Sequence, residues 1–147
     1  MLASSGFQDL VCWQKSRELT RTIYQLTQRP PVARDFGFCG QIQRASTSVM
    51  SNIAEGFERG GRAEFTQFLV VSKASLAEVY SLLYVGLDAG YFSPQQFDDM
   101  EQQIEEIARI VGGLRASVAR QRDNQKKGAK DSALGPQSSH LEPGGSP

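Results

Sequence analysis

The sequence predicts an all-α protein, an antiparallel up-down-up-down four-helix bundle followed by a disordered C-terminal tail. Three observations predict it. Apolar residues recur at spacings of three and four in four separate stretches, and no stretch of any length alternates with the two-residue period of a strand. Short turn-forming runs, "RPP" at 29–31, "RGG" at 59–61 and "AGYFSP" at 89–94, part these stretches, and connections that short join antiparallel neighbours. Beyond Gln121 the composition changes to Lys, Gly, Ser, Pro and Asp with almost no apolar residue, so burial cannot offset the entropy of ordering that segment.

The first helix is expected at about 8–28, ending where the prolines remove backbone donors. Val11, Cys12, Leu19, Ile23 and Leu26 form its core stripe. A second line, Trp13, Arg17, Thr20 and Tyr24, runs at spacings of four, three and four and points away from the first. A bundle uses one face of such a helix, so these four residues are the candidate contact with a neighbouring subunit in a cyclic oligomer.

The second helix, about 38–58, presents Ile42, Ala45, Val49, Ile53 and Gly56 and stops at the glycines. The third, about 62–89, presents Phe65, Phe68, Leu69, Leu76, Val79, Leu83 and Leu87 and ends at Gly90. The fourth, about 94–120, begins at "SPQQ": Ser93 suits the N-cap, Pro94 the first turn and Gln96 the capping box. Its stripe alternates three and four from Phe97 through Ile104 and Ile107 to Val118, with Asp98, Asp99, Glu101, Glu105 and Glu106 pointing elsewhere. One domain at 1–122 and a disordered tail at 123–147 follow.

Composition narrows the function. Lys plus Arg and Asp plus Glu number 16 each, so no overall field draws in nucleic acid or an anionic membrane. No uninterrupted apolar run exceeds four residues, as at Phe68–Val71, and the start "MLASSGFQDL" has no export signal, which predicts a cytoplasmic protein without a membrane partner. The sole histidine is His140, outside the helices, so neither a metal site nor a histidine-activated nucleophile is expected, and no cofactor is implied. Cys12 faces Ala54 in an antiparallel pair of helices, roughly 20 Å from Cys39 at ~1.5 Å per residue, and no disulfide is expected.

The second helix carries one more pattern. Gln41, Arg44, Ser48, Asn52, Glu55 and Arg59 line the margin of its apolar stripe over roughly 80° of the wheel, where a helix seam lies. If helices 2 and 3 turn back near residue 60, Arg44 comes level with Glu78 and Ser48 with the turn from Lys73 to Ser75, where the serine would let the backbones come close. These residues are expected to form a polar seam that sets register, with Arg44 and Glu78 ion-paired.

"QIQRASTSVMSNIAEGFERG", followed by "EFTQFLVVSKASLAE" and "AGYF", resembles the family of four-helix bundle proteins encoded within intervening sequences of bacterial 23S ribosomal RNA genes. The likeness covers about residues 7–118. It implies an up-down-up-down bundle and a ring-shaped homopentamer, and extends more distantly to accessory proteins of diversity-generating retroelements, which bind a reverse transcriptase and nucleic acid. Those relatives are strongly basic, whereas residues 1–122 here hold 13 basic and 13 acidic residues. The expectation is a non-enzymatic oligomeric binding or accessory protein whose protein or nucleic-acid partner is held weakly by this chain alone. The alternative is a small-ligand-binding protein or enzyme that uses the polar seam of helix 2.

Overall fold

The computed structural model describes residues 6–134. Four helices account for most of them: α1 (Val11–Thr27), α2 (Phe36–Glu58), α3 (Arg62–Asp88) and α4 (Pro94–Leu134), with single 3-10 turns at Phe7–Asp9 and Val32–Arg34. Close backbone approaches run in a cycle, α1 to α2, α2 to α3, α3 to α4 and α4 to α1, and the backbones of the diagonal pairs stay further apart. That is the antiparallel up-down-up-down bundle. The α2–α3 contact is the most extensive and the α1–α4 contact the least. The core contains Leu19, Ile23, Ile42, Ile53, Leu69 and Ile107, each fully buried.

Local chemistry sets the boundaries. Asp35 caps α2 by accepting the Phe38 backbone N–H at 3.1 Å, so the helix opens two residues earlier than the apolar spacing suggests. At α4 the Ser93 hydroxyl accepts from the Gln96 amide at 3.1 Å, and the Gln96 side chain accepts from the Ser93 amide at 2.9 Å. Gly90, at φ +76°, lets the chain leave α3 in the left-handed region while the Tyr91 amide donates to the Gly86 carbonyl at 2.8 Å. Tyr91 and Phe92 then fold back against Phe38, with ring centroids at 5.3 and 5.9 Å. The Tyr91 hydroxyl donates to Asp35 at 2.7 Å, joining the α3–α4 corner to the start of α2.

Two sequence expectations need correction here. Val11, placed in the core stripe, is half exposed, because the 3-10 turn before α1 brings Leu10 to the core in its stead. The segment from Asp123, expected to be disordered, is helical as far as Leu134, and residues 135–147 of that expected tail lie outside the described residues. The reason is propagation. Gln, Lys and Ala prolong a helix already nucleated by α4 without any tertiary contact. Cys12 and Cys39 are both buried free thiols, and burial pushes the Cys12 thiol up to about 11.

Candidate functional site

The row along α2 divides into three parts. At its centre, Ser48 Oγ lies 2.8 Å from Ser75 Oγ across α2 and α3, and Asn52 Nδ2 donates to Ser48 Oγ at 2.9 Å and to the Ser48 carbonyl at 2.8 Å. Ser72, one turn away, donates to the Val49 carbonyl of α2 at 2.8 Å. Hydroxyls this short let two backbones come close. Gly56 shows the same closeness: a Cβ there would lie 2.5 Å from Phe68 Cβ.

At the helix 2–3 turn, Arg59 pairs with Glu55 at 3.0 Å and reaches Glu64 at 3.8 Å, while its guanidinium lies 5.3 Å from the Phe68 ring centre. All three charged side chains are about half exposed, so this is a surface cluster. The outer part of the row differs from the expectation. Arg44 and Glu78 are both exposed and form no ion pair among the described residues; Arg44 folds back along its own helix toward Gly40. Gln41 is exposed as well. The level of Arg44 and Glu78 along the helices was derivable, but the serine contact narrows the seam, and side chains one step further out splay into water. Among the described residues no group of three metal-ligating side chains comes together.

The line on α1 also divides. Thr20 is half-buried and donates to the Ser46 carbonyl of α2 at 3.2 Å and to the Ser16 carbonyl at 2.8 Å, so it belongs to the α1–α2 contact and not to an outer face. Trp13 packs edge-on against Phe7 at 5.1 Å, with the Arg17 guanidinium 5.8 Å above its ring. Arg17 and Tyr24 are exposed. Together these residues occupy the outer edge of the bundle on the α1–α2 side.

The most apolar exposed surface lies elsewhere, on α3. Val70, Val71, Tyr84 and Val85 are 43%, 48%, 47% and 50% exposed. Val70, Ala74, Ala77, Ser81 and Tyr84 repeat at spacings of four, three, four and three, a second complete stripe on the outside of the helix. The most apolar 18 residues of α3 have a mean hydropathy of 1.4, enough by length and composition to cross a membrane, yet only 33% of them are buried in the bundle. Sequence reasoning that followed the inner stripe alone missed this. The signal was present in composition: five charged residues in 27, with none between Lys73 and Arg62 other than Glu64.

This stripe borders a groove of about 510 Å³ between α3 and α4, lined by Leu76, Ala77, Tyr80, Tyr84, Ile104 and Ala108. Tyr84 stacks edge-on against Phe97 at 4.9 Å and lies 5.6 Å from Tyr80. The Tyr80 hydroxyl donates to Glu101, and that bond above all raises the Tyr80 pKa far above its ordinary value. Tyr80 is therefore a neutral donor at any ordinary pH. The groove has an apolar floor, two tyrosines and, on α4, Glu101 bonded to Tyr80 and the exposed Glu105 one turn on.

Because the helices follow one another in a cycle, the α1–α2 edge and the α3–α4 edge are opposite sides of the bundle. One carries exposed Arg17 and Arg21 with Tyr24, and the other carries apolar residues with an acidic rim.

The fold and these surfaces define an all-α four-helix bundle protein. The family model of the 23S rRNA-intervening sequence protein matches residues 8–113, and the chain belongs to that family. Its structure is similar to the crystal structure of a protein of unknown function from the S23 ribosomal protein family of Bacteroides thetaiotaomicron, at 23% identity and a TM-score of 0.67, over 74% of this chain and 98% of the other. That likeness is one of fold. No curated protein matches the chain.

Proposed function

We propose that this protein is a non-enzymatic, self-assembling binding protein, in which the α3–α4 edge of one copy takes the α1–α2 edge of the next. The observation that carries this reading is the outward stripe of α3 from Val70 to Tyr84, since an apolar surface of that length on a small bundle favours a partner that removes it from water. Complementary charge supports the choice of a second copy: Arg17 and Arg21 on one edge, Glu101 and Glu105 on the other.

Unlike faces on opposite edges make a heterologous contact, which builds a ring when the rotation closes. Five is the subunit number that the family resemblance implies. In such a ring the protein acts by presenting a composite surface, and the polar seam keeps each subunit in register.

Light scattering on the purified chain tests this, and a monomer at all attainable concentrations would sink it. Val70→Glu with Ala74→Glu is expected to give folded monomers, and so is Arg17→Glu with Tyr24→Ala. Mixing the two variants should give dimers, because each retains one intact face. Failure of the mixture to associate would exclude the head-to-tail contact. An enzyme or small-ligand protein working through the seam would instead lose its ligand on Asn52 substitution while staying assembled.

A further inference from the structure

The charge of α4 is segregated along its length. Residues 94–108 hold five acidic residues and no basic one, whereas residues 109–134 hold seven basic residues against two acidic. The overall balance of the chain conceals this division.

The end of the basic half is also the part without neighbours. Gln121 lines the hollow at the end of the bundle together with Arg62 and Leu10, so the remaining 13 residues of α4 extend past the α2–α3 turn, by about 20 Å at ~1.5 Å per residue. From Asp123 to Ser132 every residue is exposed. Arg115, Arg122, Lys126 and Lys130, at spacings of seven, four and four, fall within roughly 80° of the helical wheel and so form a cationic stripe about 22 Å long. Arg120 and Lys127 flank it. Asp123, 3.7 Å from Arg122 through its carboxylate, and Asp131 are the only opposing charges on this arm.

We infer that the projecting arm of α4 is a binding element for the phosphate backbone of nucleic acid. A protein partner would need anchors to bury, and between Ala119 and Ala133 the arm offers no aromatic residue and no apolar side chain larger than alanine. A phosphate backbone needs only regularly placed cations, and neutralising it releases counterions. The contact reads no sequence, since nothing on the arm matches base edges beyond its cations and glutamines. Each chain carries its own arm, so the inference stands whether or not chains assemble.

The test uses the full chain with fluorescein-labelled 20-nucleotide single-stranded RNA and a duplex DNA of equal length, read by anisotropy across a salt series. Four phosphate contacts give a log–log slope of about −3 for the single strand, a loss of about 50-fold in affinity between about 50 and 200 mM salt. The duplex, with its steeper counterion dependence, should fall faster, and the tighter of the two at low salt identifies the preferred source of phosphate. Lys126→Glu with Lys130→Glu should abolish binding at about 50 mM salt. Arg29→Glu with Arg34→Glu, the same change in net charge at the other end of the bundle, should reduce affinity only a few-fold. Circular dichroism should find both variants folded, because none of the four side chains packs in the core. The inference fails if neither probe binds at low salt, if both double variants weaken binding equally, or if polyglutamate displaces the RNA as readily as unlabelled RNA does. The last result would mark the arm as a site for acidic proteins.

Discussion

The two sides of α3 solve opposite problems. Toward α2 and the core it presents Leu69, Ser72, Ser75 and Val79, all buried, and the serines draw two backbones together around hydroxyl bonds and the gap left by Gly56. Toward α4 and the outside it presents Val70, Ala77, Ser81 and Tyr84, equally free of charge but left in contact with water. Both faces are apolar. What separates them is closure, and the open face therefore holds the surface available for work while the closed one holds the fold.

The sharpest way to break this comparison is to trim neighbouring residues on the two sides. Leu69→Ala should cost about 2–5 kcal/mol, since the side chain is fully buried and leaves a cavity. Val70→Ala should change the stability of the dilute chain by no more than about 0.5 kcal/mol, and its effect should appear in the assembly mass. Denaturant midpoints of the two variants measure the contrast; equal losses would mean that the outer stripe is core in solution.

Gly56→Ala comes next. The added Cβ would lie 2.5 Å from Phe68 Cβ and 3.1 Å from Phe65, and the helices must separate to admit it, for a loss of about 1–3 kcal/mol. A neutral or stabilising result in thermal melts would show that the α2–α3 contact is looser than its serines suggest. The smallest effect is expected at the outer limit of the seam. Glu78→Ala and Arg44→Met should each move stability by no more than about 0.5 kcal/mol and add independently in the double variant. A coupling of about 1 kcal/mol or more in that cycle would restore the ion pair that the sequence suggests.

The reasons for what could and could not be read from the sequence are specific. The "SPQQ" start of α4 was legible because the cap chemistry is local and its three participants are consecutive or nearly so. The level of Ser48 with the turn ending at Ser75 was legible because antiparallel helices of constant rise fix it. Arg44 and Glu78 share that level, but their outward angle depends on how closely the helices approach, which spacing alone does not give. The N-cap at Asp35 was missed although "RDF" holds an aspartate directly before the helix, because attention to apolar spacing starts the helix at its first buried residue, Phe38. Burial also governed the reading of 123–134, where low apolarity rules out packing but leaves helix propagation untouched. The outer stripe of α3 was visible in composition, and no sequence pattern separates a second buried face from an exposed one.

Asp35 joins parts of the chain that lie far apart in sequence. Its carboxylate receives the Tyr91 hydroxyl and the Phe38 amide, and these two bonds, the tyrosine's first, hold its pKa below the ordinary aspartate range. A folded-state pKa lower than the unfolded one means that the stabilisation is present above the unfolded value, about 3.9, and is lost as pH falls through the folded value. A single proton would thus weaken the first turn of α2 and unlatch the α3–α4 corner together. The start of α2 is latched to the α3–α4 corner by one acid-labile contact, and an acid melt of Asp35→Asn, which should lose less stability than the parent as pH falls, checks whether that latch opens.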